Sequence, residues 1–152
     1  MGKRREGRES AVQFLYQMDM QASTIGELLP HFWNLRVGPA GKCKVPLSSR
    51  QYAETLIRGV VQHREEIDKR IVNLTKNYSL ERIAGVDRNV LRLGVYELIY
   101  SSQVPPVVII NECIEIAKKF GSDESGRFVN GILDRLRSEI SRPAREPLAP
   151  PR

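Results

Sequence analysis

Apolar positions recur at steps of three and four residues along nearly the whole chain, and no run shows strict alternation, so the pattern predicts an all-α protein. In the first segment Ala11, Phe14, Leu15, Met18 and Ala22 form one stripe, with Arg8, Gln13 and Gln17 on other faces. A weaker helix is expected around Leu28 to Leu35, because Pro30 is tolerated only near a helix start. Val37-Gly38-Pro39-Ala40-Gly41-Lys42 then reads as loop. From about Ser48 to Lys76 a single stripe of Tyr52, Leu56, Val60, Ile67, Ile71 and Leu74 predicts one long helix, bent if at all.

Asn77-Tyr78-Ser79 interrupts the pattern, a short turn around Leu80 to Ile83 follows, and Gly85 breaks it again. The next helix is expected to start on Asp87 as N-cap, with Val86 packing on Leu91 and with Val90, Leu91, Gly94, Val95, Leu98 and Ile99 buried. Pro105-Pro106 ends it and begins another, since proline suits the first helical position. Lys118 and Lys119 fit the last turn of that helix and Gly121 its C-cap. Ser122 is the expected cap of a final helix burying Phe128, Val129, Ile132, Leu133, Leu136 and Ile140. The expected organisation is one domain over 1–141, made of two small helical bundles at about 1–78 and 79–141, followed by a disordered proline- and arginine-rich tail over 142–152.

Composition narrows the function. With 41% apolar and 28% charged residues in a chain of 152, a core is affordable and global disorder is not expected. The longest apolar runs, such as Val107-Val108-Ile109-Ile110, are far shorter than the ~20 residues of a membrane span, and no signal-peptide core follows Met1. A cytoplasmic protein with no membrane partner is the expectation. Cys43 and Cys113 share no close spacing with each other or with His31 and His63, so neither a redox pair nor a zinc site can be written and no cofactor or metal is expected. Neither histidine has a nucleophile or acid beside it. The Gly38–Lys42 stretch lacks phosphate-loop spacing, and Glu112 and Glu115 form a pair common on solvated helices. No catalytic set can be assembled, so the chain does not read as an enzyme.

Charge points elsewhere. The 24 basic against 18 acidic residues leave a formal +6. The excess is concentrated at Lys3, Arg4, Arg5 and Arg8, opposed there only by Glu6, and between Arg36 and Arg50, where Lys42 and Lys44 meet no acid. A cationic N-terminus leading into a helix can contact phosphates, although short basic ends are also often merely solvated.

Two blocks are sharper. Arg4-Arg5 through Arg8-Glu9-Ser10-Ala11-Val12-Gln13-Phe14-Leu15-Tyr16 is one; Asp87-Arg88-Asn89-Val90-Leu91-Arg92-Leu93-Gly94-Val95-Tyr96-Glu97-Leu98 opens the other. The second continues through Pro105, Ile110-Asn111-Glu112, Ala117-Lys118-Lys119-Phe120-Gly121 and Phe128-Val129-Asn130-Gly131-Ile132-Leu133-Asp134. Together, over about residues 4–137, they resemble the NusB family of bacterial transcription antitermination factors.

The resemblance implies two helical bundles and a non-catalytic protein that binds the boxA element of ribosomal RNA transcripts. It implies as partners NusE, a small-subunit ribosomal protein, and the RNA polymerase elongation complex with other Nus factors. It places Lys3, Arg4, Arg5 and Arg8 on the family's RNA-binding stretch, where guanidinium groups pair with phosphates or stack on bases. Arg127 and Phe128 match the basic-aromatic pair of its RNA-facing surface, and a base splayed from single-stranded RNA can stack on a phenyl ring. Phe128 also stands on the buried stripe, so stacking and core packing are both open. Tyr16, Asp87 and Glu124 match positions near the contacts with NusE and RNA.

Glu6 and Gly7 interrupt the basic run and are expected to weaken its field, and Glu124 stands where Asp is common. The loop over 37–46 and the tail have no role in the resemblance. The alternatives are a NusB-like protein-interaction bundle or homodimer without specific RNA binding, and the RNA-binding appendage of a ribosomal RNA methyltransferase. Against the appendage stands the short stretch after Arg142, which leaves no room for a cofactor-binding domain.

Overall fold

The computed structural model of the chain describes all residues except Met1, Asn77, Ser102 and 149–152, with 141–148 described as backbone alone. Among the described residues the regular elements are helices, and the one extended pairing is an isolated bridge between Val37 and Cys43. They fall into two compact units, Met1–Gln62 and His63–Arg152.

The first unit holds α1 (Lys3–Met20), α2 (Ile25–Asn34) and α3 (Leu47–Gln62). Its core gathers Ala11, Phe14, Leu15, Phe32, Leu56 and Ile57, with Phe14 and Phe32 edge to face at 5.3 Å between centroids. The aromatic line continues to Trp33, whose indole N–H donates to Glu54 at 2.9 Å. α2 is firmer than expected, and Pro30 lies well inside it. A complete capping box explains this: the Glu27 amide donates to the Thr24 hydroxyl, and the Thr24 amide to the Glu27 carboxylate. The carbonyl that the Pro30 ring would crowd belongs to Gly26 in the first turn, so the usual penalty falls at the helix entrance while Leu28, Leu29, Phe32 and Trp33 are buried. The following loop is a tight reversal, with Lys44 donating to the Arg36 carbonyl at 2.7 Å and Gly41 at φ +80°, a conformation suited to glycine.

The second unit holds α4 (Arg64–Leu74), a 3-10 turn (Leu80–Arg82), α5 (Gly85–Tyr100), α6 (Pro106–Phe120) and α7 (Asp123–Leu148). The single helix expected over 48–76 is therefore two, because His63 leaves helical geometry at φ −107°, ψ 18°. The division of the chain falls there rather than at 78/79, since Ile67, Ile71 and Leu74 are buried where α4 packs on α5 and α7. The tail expected over 142–152 lies outside the residues described in full. Pro106 and Ser122 act as the sequence requires: the proline opens α6, and the Ser122 hydroxyl accepts from the Ser125 amide at 3.2 Å.

The start of α5 differs. It begins at Gly85 with Ala84 as an N-cap that offers no side-chain bond, so Asp87 is a first-turn residue and not the cap. Arg88 explains the shift: its guanidinium donates to the carbonyls of Leu80 and Ile83 at 3.0 and 2.9 Å, drawing the preceding turn against the helix. One turn on, Arg92 is only 4% exposed. It donates to both carboxylate oxygens of Asp68 on α4, at 2.8 and 3.2 Å, and to Asn89 at 3.0 Å.

On its other side α5 meets α6 and α7 at Gly94, where a Cβ would stand 2.7 Å from a Leu133 methyl and 3.1 Å from the Cys113 sulfur. Both neighbours are fully buried and have nowhere to retreat. Gly94→Ala is expected to destabilise the protein by about 1–3 kcal/mol, the usual cost of overpacking, measured by denaturant unfolding. Asp68→Asn is expected to cost about 3 kcal/mol in the same assay, because Arg92 keeps its buried charge and loses the carboxylate that it meets through two bonds.

Candidate nucleic-acid interface

α1 delivers the N-terminal cations at helical spacing, and their environments differ sharply. Lys3 and Arg4 are exposed and Arg5 is half-buried, whereas Arg8 is 2% exposed. Arg4 and Arg8, one turn apart, lie beside the same ring: their guanidinium carbons are 5.1 and 5.5 Å from the centroid of Tyr52 on α3. Arg8 also donates to the Tyr52 hydroxyl at 3.1 Å. An internal arginine of this kind is not available to a phosphate, so the placement of Arg8 departs from the role that resemblance gave it. The interruptions at Glu6 and Gly7 also have structural reasons. Glu6 accepts from the Ser49 hydroxyl at 3.2 Å, and a Cβ at Gly7 would stand 2.8 Å from the Tyr52 ring. Tyr16 is 41% exposed and follows Arg5 by eleven residues, close to three turns, so the two share a stripe about 16 Å apart along α1.

The second basic stretch of this unit is only partly outward. Arg36 lies 3.6 Å from the centroid of Phe32 and donates to the Phe32 carbonyl and the Gln13 side chain. Burial lowers its pKa, and nearby Cys43 works in the opposite direction. Lys42 and Lys44 are exposed.

In the second unit, Arg127 and Phe128 are neighbours on α7 and therefore point about 100° apart. Arg127 is exposed on a cleft of about 310 Å³ shared with Lys118, Asn130 and Asp123. Phe128 is half-buried and forms the wall of another groove of about 390 Å³, floored by Leu74 and Ile132 and rimmed by Lys76, Tyr78 and Arg135. Tyr78 is 43% exposed and carries the Arg82 guanidinium 5.2 Å from its centroid. Arg135 donates to the Leu74 carbonyl at 2.8 Å, which fixes it at the rim. Phe128 is thus neither a core residue nor a free ring.

Lys76, Tyr78 and Arg135 were not singled out from the sequence. Tyr78 stood only as an interruption of a helix, although a tyrosine between cationic residues in a turn was the signal available. Glu124 is exposed in the first turn of α7. Asp87 is half-buried at the start of α5, and its Oδ1 is buried with no hydrogen-bond partner among the described residues.

Among the described residues no three His, Cys, Asp or Glu side chains are grouped to hold a metal ion, and no helix is long and apolar enough to cross a membrane. Cationic side chains beside partly exposed rings can neutralise phosphates and stack on unpaired bases.

Known proteins are similar to this chain in sequence and in fold. The model of the NusB family matches residues 5–138. A transcription antitermination protein NusB from Myxococcus xanthus is 43% identical over 143 residues, covering 94% of this chain and 100% of that protein. Among solved structures, a chain from a crystal structure of antitermination factors NusB and NusE in complex with double-stranded RNA superposes with a TM-score of 0.79 at 30% identity, covering 91% of this chain and 98% of that one. NusB of T. maritima superposes with a TM-score of 0.77 at 35% identity, covering 90% and 91%. A family match over nearly all of the folded chain, joined to the same helical architecture, leaves one conclusion: the chain belongs to the NusB family.

Proposed function

We propose that the chain is a transcription antitermination factor that binds boxA RNA of ribosomal RNA transcripts together with NusE and joins the RNA polymerase elongation complex with other Nus factors. It acts by binding, without catalysis, in the cytoplasm. The observation that carries this reading is the likeness, over nearly the whole chain, to a protein solved with NusE and RNA. The exposed cations Lys3, Arg4 and Arg127 support it as phosphate contacts, and the groove walled by Phe128 supports it as a place for an unstacked base. Tyr16 and Glu124 supply exposed polar groups suited to a partner surface, and half-buried Asp87 stands at the start of α5 as a further candidate contact.

The test is a fluorescence-anisotropy titration of labelled boxA RNA and a scrambled control, with and without NusE. The expected result is preference for boxA that tightens when NusE is present. Equal, weak binding to both RNAs, indifferent to NusE, would replace this reading with that of a protein-interaction bundle. Affinity should fall steeply with salt, because each neutralised phosphate of a single strand contributes about −0.7 to the log–log slope. Arg4→Ala combined with Arg5→Ala is expected to flatten that slope by about 1.4 if both side chains contact phosphates. Thermal unfolding of this double variant should change little, since charges near a terminus contribute little to stability.

A further inference from the structure

Tyr52 lies in the middle of α3, far in sequence from every residue that the family resemblance marks, yet two arginines of α1 converge on its ring. The convergence is built in. Gly7 leaves no side chain between the helices, so the ring rests against the α1 backbone, with Arg4 three residues before the glycine and Arg8 directly after it. Arg8 is the inner of the two: it is buried, and it donates to the Tyr52 hydroxyl. Arg4 is the outer one, exposed to solvent with its guanidinium 5.1 Å from the ring centroid. The negative face of a phenol ring attracts a guanidinium and leaves the polar edge of the cation free to donate elsewhere.

Resting on the RNA-binding reading above, we propose that Tyr52 is a positioning residue for RNA recognition. Its ring holds the Arg4 guanidinium in place before RNA arrives, with Arg8 as the buried anchor that fixes the ring. A long side chain already restrained has less rotamer freedom to lose when it meets a phosphate, so the restraint appears as affinity. The proposal separates two arginines that sequence spacing treats alike. Arg4 touches RNA, while Arg8 acts through Tyr52.

The test compares two rings of nearly the same shape in the full chain. Tyr52→Phe removes the hydroxyl and keeps the ring face, whereas replacement of Tyr52 by pentafluorophenylalanine reverses the charge of that face. The fluorinated protein should bind boxA RNA about two- to fivefold more weakly than the Phe variant, the size of one exposed cation–π contact. In an Arg4→Ala background the two rings should give equal affinities. In the free protein, the ¹⁵N heteronuclear NOE of the Arg4 Nε–Hε group should be high with the Phe ring and low with the fluorinated one.

Equal RNA affinities for the two rings with Arg4 present would overturn the proposal. So would a fluorine penalty that persists after Arg4→Ala. The NMR readout needs no RNA. If no protein in the series prefers boxA to the scrambled control, the functional reading fails, and equal Arg4 mobility with both rings then overturns the positioning role independently.

Discussion

A guanidinium removed from water must have its N–H groups answered and its charge balanced, and that requirement fixes the inner architecture of the second unit. Arg92 points from α5 into the interior, and a carboxylate must be presented at the right height and angle to receive it through two bonds. Asp68 supplies that carboxylate from α4, so the register of α4 against α5 is not free to slide. Asn89 takes a further N–H from the same helix. On the far side, Gly94 sets how closely α6 and α7 approach. One face of α5 is therefore located by charge and the other by the absence of a side chain, and the apolar residues between them fill a space already defined.

The same accounting changes what the net positive charge means. Read as a string, the arginines are equivalent positive charges. In the fold, Arg8 and Arg92 are buried against a phenol and a carboxylate and contribute little that an approaching polyanion could touch, while Arg36 is half-buried against a phenyl ring. Lys3, Arg4 and Arg127 remain outward. Specific recognition benefits from such pruning, because fewer and better-held cations give less indiscriminate attraction for the same number of useful contacts.

The helical class was legible because burial of one face repeats at the helical period, and that signal survives without knowledge of partners. Helix ends were less legible. The break at His63 carries no glycine or proline, and the stripe runs on through it because Val60 and Ile67 are both buried, within separate cores. The start of α5 misled for a related reason: Asp87 has the chemistry of a cap, but Arg88 reaching back to Leu80 and Ile83 starts the helix sooner. At the candidate interface, Arg127 and Phe128 were named from the motif around them, and the structure puts the first in an exposed cleft and the second in a groove wall. The pairing of Tyr52 with two arginines was not legible, because they lie 44 and 48 positions away in sequence and only folding brings them together.

The division at Gln62 and His63 bears on how the protein is made. The first core closes when α3 returns to α1, so it is complete once its own 62 residues have left the ribosome. In the second unit α4 pairs with α5, α5 with α6 and α6 with α7, neighbours along the chain, and α7 also closes back on α5 and α4. Such local topology favours rapid folding and leaves little time for exposed apolar faces to find one another between molecules. The arginine-bearing helix and the tyrosine it packs on thus belong to the unit that leaves the ribosome first.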